Sequence, residues 1–389
     1  MSKLDELIQK LCPNGVEYKK IKDICEISRG LVISKDYINQ NAGIYPVYSS
    51  QTENNGELGK ISTYMFEGEY LTWTTDGANA GTVFYRTGKF NVTNVCGLLK
   101  IIDSNINAKF LYYALTIETK KHVNSGMGNP KLMSNVMAEI RIPVPPLEVQ
   151  DEIVRILDNF TELTAELTAE LTARKQQYEH YRNELFIFDT KHSSAQLFKI
   201  KDICTRISSG GTPNTSNRKY YDGNIPWLRT QEVNFGPITD TDVKITEEGL
   251  NASSAKWVNK NAVIVAMYGA TVGKVAYTNI ALTTNQACCN LEIDDKKAVY
   301  KYVYYYLTSK YEYIKSLGQG SQTNINADIV KNLDIFLPNL EEQQRIVDIL
   351  DKFDTYCNDL TQGLPAEIEL RKQQYEYYRD KLLSFKELK

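Results

Sequence analysis

Over residues 18–146, short apolar runs such as Gly97-Leu98-Leu99-Lys100-Ile101-Ile102 are punctuated by Gly, Asn, Thr and Tyr. Runs of that length predict short strands joined by long loops, with a helix over residues 108–119. From Leu147 the period changes. Ile153, Leu157, Phe160, Leu163, Leu167, Leu171, Tyr178, Tyr181 and Leu185 recur at three, four or seven residues, the stripe of an amphipathic helix. Pro143, Pro145 and Pro146 stand just before it, where proline can precede a helix without breaking it. A helix of about 38 residues is roughly 57 Å long, and one small domain cannot cover such a stripe.

This succession is written twice. Lys20-Ile21-Lys22-Asp23-Ile24-Cys25 returns as Lys199-Ile200-Lys201-Asp202-Ile203-Cys204, and the glycine-rich stretch 77–83 is answered by 269–275. Pro145-x-Leu147 with Gln150, Ile153 and Leu157-Asp158-x-Phe160 matches Pro338-x-Leu340 with Gln343, Ile346 and Leu350-Asp351-x-Phe353. Arg174-Lys175-Gln176-Gln177-Tyr178-Glu179 recurs as Arg371-Lys372-Gln373-Gln374-Tyr375-Glu376. Ordered matches at so long a period describe a duplicated domain pair, not a solenoid. The offset grows after the first match, so the second copy is longer around residues 210–268. A constant framework around two divergent segments points to two related sites for two different ligands.

A second stripe, Leu340, Ile346, Leu350, Phe353, Leu360, Ile368, Tyr375, Tyr378 and Leu382, offers the first a partner, with a break expected at Gly363 and Pro365. The expected division is a globular domain (1–146), a central helix (147–189), a second globular domain (190–338) and a C-terminal helix (339–389). The expected fold class is α+β (mixed α/β): two pseudo-symmetric globular domains separated by long helices that pair as an antiparallel coiled coil. Tandem Thr-Ala-Glu-Leu units at 164–167 and 168–171 set Leu163, Leu167 and Leu171 four residues apart. A four-residue unit is therefore the step by which this spacer can change length while approximately keeping its stripe.

Composition sharpens the picture. The 26 tyrosines against 12 phenylalanines favour large polar surfaces over extra core. Net charge is −3, yet the segments differ: +2 for 1–146, −6 for 147–189, +4 for 190–338 and −3 for 339–389. Basic domains joined by acidic helices fit domains that touch a polyanion, although helices also collect Glu for their own sake. There is no apolar run long enough for a membrane span and no apolar signal core near the start, so a cytoplasmic protein is expected. Seven scattered cysteines without C-x-x-C, and three histidines, give no zinc or disulfide framework and fit a reducing compartment.

No catalytic constellation emerges. Residues 269–275 resemble a phosphate-binding loop, but the glycine spacing is one short and Val275 stands where a hydroxyl would hold magnesium. Asn129-Pro130-Lys131 lacks the second proline and aromatic of an amino-methyltransferase motif. Glu118-Thr119-Lys120 with Asp103 is a nuclease-like set at chance density, better read as a helix end. The chain is expected to bind, not to catalyse.

The segments that differ most between copies are rich in hydrogen-bonding side chains. Residues 48–55 and 72–76 of the first copy face 211–221 and 227–231 of the second. Asn, Gln, Arg, Ser and Thr pair with base edges, and Lys and Arg anchor phosphates. The candidate DNA-binding residues are Ser50, Gln51, Lys60 and Thr74 in the first domain, with Thr212, Asn214, Arg218, Lys219, Arg229, Gln231 and Lys274 in the second. Ser321 and Gln322, before the C-terminal helix, complete the set. No catalytic or metal residue is assigned.

The doubled domain–helix plan, the Pro-x-Leu-x-x-Gln-x-x-Ile lead-in to each helix, Gly210-Gly211-Thr212-Pro213, Ile225-Pro226-Trp227 and Gly318-x-Gly320-Ser321-Gln322-x-Asn324-Ile325 together resemble the specificity subunit of type I restriction–modification systems. The tandem Thr-Ala-Glu-Leu belongs to the same pattern. The first copy departs from it, with Gly128-Asn129-Pro130-Lys131-Leu132 in place of the Ser-Gln and Asn-Ile loop. The resemblance implies two target-recognition domains on a helical spacer, which read a split, asymmetric site on double-stranded DNA. It implies docking of two modification (methyltransferase) subunits and of ATP-dependent restriction subunits. S-adenosylmethionine, ATP and Mg2+ would then reside on those partners, and none on this chain. The alternatives are a coiled-coil adaptor without DNA contact, or a methyltransferase or nuclease with an unrecognised site.

Overall fold

The computed structural model describes residues 2–124, 126, 128–187, 195–318, 324–359 and 361–388. They form two compact units, Met1–Thr168 with Glu367–Lys389, and Ala169–Ala366.

The first unit begins with α1 (Lys3–Leu11), started by a capping box between Ser2 and Asp5. After β1 (Glu17–Lys20) and the single turn α2 (Ile21–Ile24) comes a six-stranded sheet interrupted once by α3 (Lys35–Gln40). Its strands are β2 (Cys25–Arg29), β3 (Ala42–Tyr48), β4 (Glu57–Ile61), β5 (Phe66–Thr74), β6 (Val83–Val92) and β7 (Cys96–Ile101). The spatial order is β2-β7-β5-β6-β3-β4, antiparallel except where β3 lies parallel to β6. Gly68 and Gly88 face each other across β5 and β6, both at positive φ, a conformation open to glycine at no steric cost. Beyond that pair Phe90 and Val92 pack with Cys96 and Leu98 in a small second core.

The main core lies on the other face of the sheet. Leu71, Trp73 and Leu99 pack against Phe110, Leu111 and Leu115 of α4 (Ala108–Lys121). Next in the chain are α5 (Ser134–Glu139) and β8 (Arg141–Val144), and β8 pairs antiparallel with β1. From β8 the chain enters α6 (Leu147–Leu185), a helix of 39 residues.

The second unit repeats this plan with additions. Its strands begin with β9 (Gln196–Lys199), β10 (Cys204–Ser209), β11 (Tyr221–Leu228), β12 (Pro237–Ile238) and β13 (Lys244–Ile245). After α7 (Glu247–Asn251) come β14 (Trp257–Val258), β15 (Val263–Ala266), β16 (Val275–Thr278), β17 (Leu282–Thr284) and β18 (Cys288–Ile293). The unit closes with α8 (Tyr300–Ser309), α9 (Tyr311–Ser316), α10 (Ala327–Lys331), β19 (Asp334–Leu337) and α11 (Leu340–Asn358). The strands form sheets β10-β18-β15-β16-β12 and β13-β11-β17-β14, with β9 paired to β19. The extra length of the second copy is β12, α7 and β14, between β11 and β15. β16 and β17 together take the place of β6: β6 pairs with both β5 and β3, whereas β16 pairs with β15 and β17 with β11.

The repeated lead-in residues are locks between each domain and its helix. Gln150, fully buried, donates to the carbonyls of Pro145 (2.7 Å) and Asn105 (2.8 Å) and accepts from Asn107 N. Gln343 does the same with Pro338 (2.8 Å), Lys297 (3.3 Å) and Val299 N. Further along each helix, Asp158 accepts from Lys109 Nζ (2.6 Å) and Tyr113 OH (2.7 Å), and Asp351 from Lys301 Nζ (2.5 Å) and Tyr305 OH (2.7 Å). Burial and the facing carboxylates push both tyrosine hydroxyls well above their usual pKa, so they stay protonated donors.

Aromatic rings carry the helix–helix seams. In the first unit Phe160 stacks on Tyr378 of α12 (Leu364–Leu382), centroids 5.4 Å apart. In the second, Tyr178 and Tyr181 of α6 meet Phe353 of α11 at 6.2 and 6.0 Å. The C-terminal stripe is broken between α11 and α12, over residues 359–363, of which Leu360 lies outside the described residues. The Thr-Ala-Glu-Leu tandem spans the junction of the units at Thr168, and no residue from Asp158 to Gln177 is buried there. Its threonines bond back into the helix, Thr164 to Phe160 O and Thr168 to Thr164 O.

Beyond α12, Leu383 enters the first core, and the backbone then pairs with the start of the chain. Val16 N donates to Lys386 O and Leu388 N to Val16 O, both at 2.9 Å, and Tyr18 OH donates to Phe385 O. No helix among the described residues is long and apolar enough to cross a membrane.

Candidate nucleic-acid interface

In the first domain the Val95 carbonyl is a hub. Ser50 Oγ and Thr75 Oγ1 both donate to it, and Ser50 Oγ also accepts from Thr75 N at 3.3 Å. Thr93 Oγ1 bonds Ser49 Oγ, Asn79 Nδ2 donates to Thr52 Oγ1, and Leu31 bridges Thr93 through the backbone. The turns at 30–34, 49–56, 75–82 and 93–95 are thereby gathered into one polar surface. Gly30 makes this possible: a Cβ there would fall 1.7 Å from Val92 O. Gly210 stands in the same relation to Thr284 O, at 1.8 Å, so both domains bring the end of their first sheet strand onto the same neighbour.

The candidates fare unequally. Ser50 and Gln51 sit at this surface half-buried, with Gln51 Nε2 donating to Glu57 O. Thr74 does not reach it: fully buried, its hydroxyl donates to Asn79 O and accepts from Thr82 N, and so it builds the turn. Lys60 is exposed on β4, at the rim.

In the second domain Thr212 Oγ1 donates to Gln286 Oε1, Thr230 Oγ1 to Asn285 Oδ1, and Thr271 Oγ1 to Thr230 O. These bonds join the turns at 211–214, 229–232, 269–271 and 285–287. Asn214 is exposed, its Oδ1 taken by Ser216 N. Arg229 is held by two carboxylates, Glu232 at 3.2 Å and Asp242 at 3.4 Å. It is less free than its sequence context implies. Lys274 donates to Asn234 Oδ1 at 2.6 Å. Arg218 and Lys219 are exposed without an ion pair among the described residues, but they precede β11, at the end of that strand away from Leu228. Ser321 and Gln322 lie outside the described residues.

Arg86 was not among the candidates, yet it shapes the surface. Only 2% exposed, it donates from Nη2 to Asn55 O (2.8 Å) and from Nε to Thr72 Oγ1 (3.2 Å). Its guanidinium packs 3.6 Å from the Tyr48 ring centroid and 4.4 Å from Phe84. Burial without a carboxylate draws its pKa below the usual value. The cation is held by ring faces and by the carbonyl of a turn whose Asn54 and Asn55 lie at φ 48° and 53°. Arg86→Met is expected to destabilise the first domain by about 2–4 kcal/mol. It should also loosen residues 50–56, measured as faster amide hydrogen exchange there than in the second domain; uniform exchange in both would remove the clamp from the account.

The sequence motifs weighed for catalysis dissolve into structure. Asp103 pairs with Lys19 (2.9 Å) and Glu118 with Lys121 (2.7 Å), and residues 269–271 form a single turn between strands. Among the described residues no cluster of His, Cys, Asp and Glu could hold a metal ion.

The family model for the type I restriction modification DNA specificity domain matches residues 13–174 and again 193–370. A Mycoplasma pneumoniae relative named for a type I specificity subunit is 38% identical over 370 residues, covering 94% of this chain and 97% of the relative. The specificity subunit of the type I restriction enzyme MpnII from the same organism is 47% identical over 187 residues, 46% of this chain and 56% of that one. Among solved structures, the S subunit of a type I restriction-modification system from M. genitalium superposes with TM-score 0.58 at 15% identity, covering 95% of this chain and 96% of that one. The HsdS subunit from Thermoanaerobacter tengcongensis gives 0.52 at 15% identity, covering 97% and 99%. These likenesses share the fold, and the matched family model spans both copies of the repeat. The chain belongs to the DNA specificity subunits of type I restriction–modification systems, the non-catalytic members that carry two target-recognition domains.

Proposed function

We propose that each domain reads one half of a split, asymmetric DNA site through its joined turns, those around Val95 in the first domain and those around Thr230 and Gln286 in the second. The observation that carries this reading is the same backbone framework presenting two unlike sets of loops. In the first domain Ser50 and Gln51 would contact bases, with Lys60 on phosphate. In the second Thr212, Asn214 and Gln231 would contact bases, with Arg218, Lys219, Arg229 and Lys274 toward phosphates. The chain itself would carry no cofactor. Two modification subunits would bring S-adenosylmethionine, and restriction subunits ATP and Mg2+, in a cytoplasmic assembly that uses this chain as its reader.

Exchanging residues 18–146 for the corresponding domain of a relative should alter one half of the methylated motif and leave the other intact, read by mapping methylated bases genome-wide. A change in both halves would refute independent reading. An adaptor without DNA contact would add no salt-dependent DNA affinity to its methyltransferase, whereas a reader lowers Kd steeply as salt falls.

A further inference from the structure

A three-residue connector occupies the same place in both domains. Thr93–Val95 joins β6 to β7, and Asn285–Ala287 joins β17 to β18. Three of their main-chain bonds correspond, and in the first domain Asn94 N also donates to Leu31 O at 2.9 Å. Thr93 N donates to Tyr48 O and Asn285 N to Leu228 O, both at 2.9 Å. Thr75 N donates to Val95 O (3.4 Å) and Met267 N to Ala287 O (2.8 Å), while Cys96 N closes on Thr93 O (3.0 Å) and Cys288 N on Asn285 O (3.3 Å). Each connector is thus fixed from two neighbouring strands, unlike the longer loops around it.

Within each connector the flanking residues turn inward and the middle one is exposed: Asn94 in the first domain, Gln286 in the second. The surrounding loops differ in length and sequence, yet this position carries the same functional group, longer by one methylene in the second domain. A primary amide sets a donor beside an acceptor, the pair that matches adenine N7 and N6 in the major groove. The Asn94 side chain makes no hydrogen bond among the described residues. Among the described residues Gln286 accepts only from Thr212 Oγ1, which orients the amide, and its N–H groups make no hydrogen bond there.

We propose that Asn94 and Gln286 are equivalent base-reading residues, each presenting its amide to an adenine in its own half-site. This rests on the reading that each domain contacts half of a DNA site, so the domain exchange above serves as the control. The experiment uses the complex assembled with its methyltransferase and maps the methylated motif for Asn94→Ala, Asn94→Asp and Gln286→Ala.

Asn94→Ala should relax one adenine position in one half-site, and Gln286→Ala one position in the other, with affinity for the cognate duplex falling about tenfold to a hundredfold. Asn94→Asp keeps the acceptor and loses the donor, so preference at that position should move from adenine toward cytosine, whose N4 amino group donates. Should an alanine variant methylate nothing, Asn94→Asp in a complex with an unaltered melting transition decides: a shift at one position supports the proposal, and an unchanged motif overturns it. An unchanged motif in both alanine variants, or weaker binding that is uniform over all sequences, also overturns it. If the domain exchange moves one half-site while these variants move nothing, the proposal alone fails. If the exchange moves neither half, the reading beneath it fails.

Discussion

A third Thr-Ala-Glu-Leu unit inserted after Leu171 is expected to leave both half-sites unchanged and lengthen the unread gap between them by one base pair. Four residues extend α6 by about 6 Å and turn the downstream part of the helix by about 40° beyond one full turn. One base pair advances DNA by roughly 3.4 Å and turns it by about 35°. The rotations nearly agree, and tilt of the helix against the DNA absorbs the excess length. The structure adds a reason for tolerance: Leu163 is 46% exposed and no residue from Asp158 to Gln177 is buried, so little packing is displaced. Two inserted residues would turn the downstream stripe by about 200° out of register with the stripe before it, and methylation should be lost. Methylated-base mapping of the four-residue insertion decides; an unchanged gap, or altered half-sites, would show that Leu163, Leu167 and Leu171 belong to no ruler.

Deleting residues 383–389 should unfold the first unit selectively. The deletion removes the buried Leu383, about 1.5–3 kcal/mol, and the bonds of Lys386 and Leu388 to Val16 and of Phe385 to Tyr18, about 1 kcal/mol each. It also removes Glu387, which pairs with Arg141 at 2.5 Å. A loss of about 5 kcal/mol is comparable with the whole stability of a typical domain. In a thermal scan one transition should move down by tens of degrees or vanish while the other persists. Two transitions both displaced equally, or neither displaced, would contradict the assignment of this segment to the first unit.

The framework was legible because its constraints are local and written twice. The period of α6, the proline lead-in and the Leu-Asp-x-Phe pattern all mark real elements, and the broken C-terminal stripe becomes α11 and α12. What the sequence did not disclose was where the paired side chains go. Gln150 and Asp158 repeat as Gln343 and Asp351 because they tie each helix to its own domain, through partners some 45 residues away. Loop chemistry was harder to read. Thr74 has the composition of a contact residue, but both faces of β5 are covered at this end, where Leu71, Thr72 and Trp73 are buried too, and the adjoining turn takes its hydroxyl. Arg86 has the composition of a surface residue, but two ring faces take it inside. Asn94 and Gln286 were hidden by a different cause: their positions correspond only once the single strand β6 is matched to the two strands β16 and β17.

The pairing of Leu388 with Val16 also dictates an order of events during synthesis. Residues 169–366 make a unit from one continuous stretch, so its folding needs no residue made before or after it. The other unit needs residues 367–388, which are made later than everything else it contains. Bringing them to Val16 across an unfolded chain of that length would cost about 5 kcal/mol in closure entropy. Prior collapse of the intervening residues shortens the effective loop and lowers that cost. The half of the protein translated first therefore cannot finish folding until residues 367–388 are made, and until then α1, β1 and the apolar face around Val16 wait uncovered.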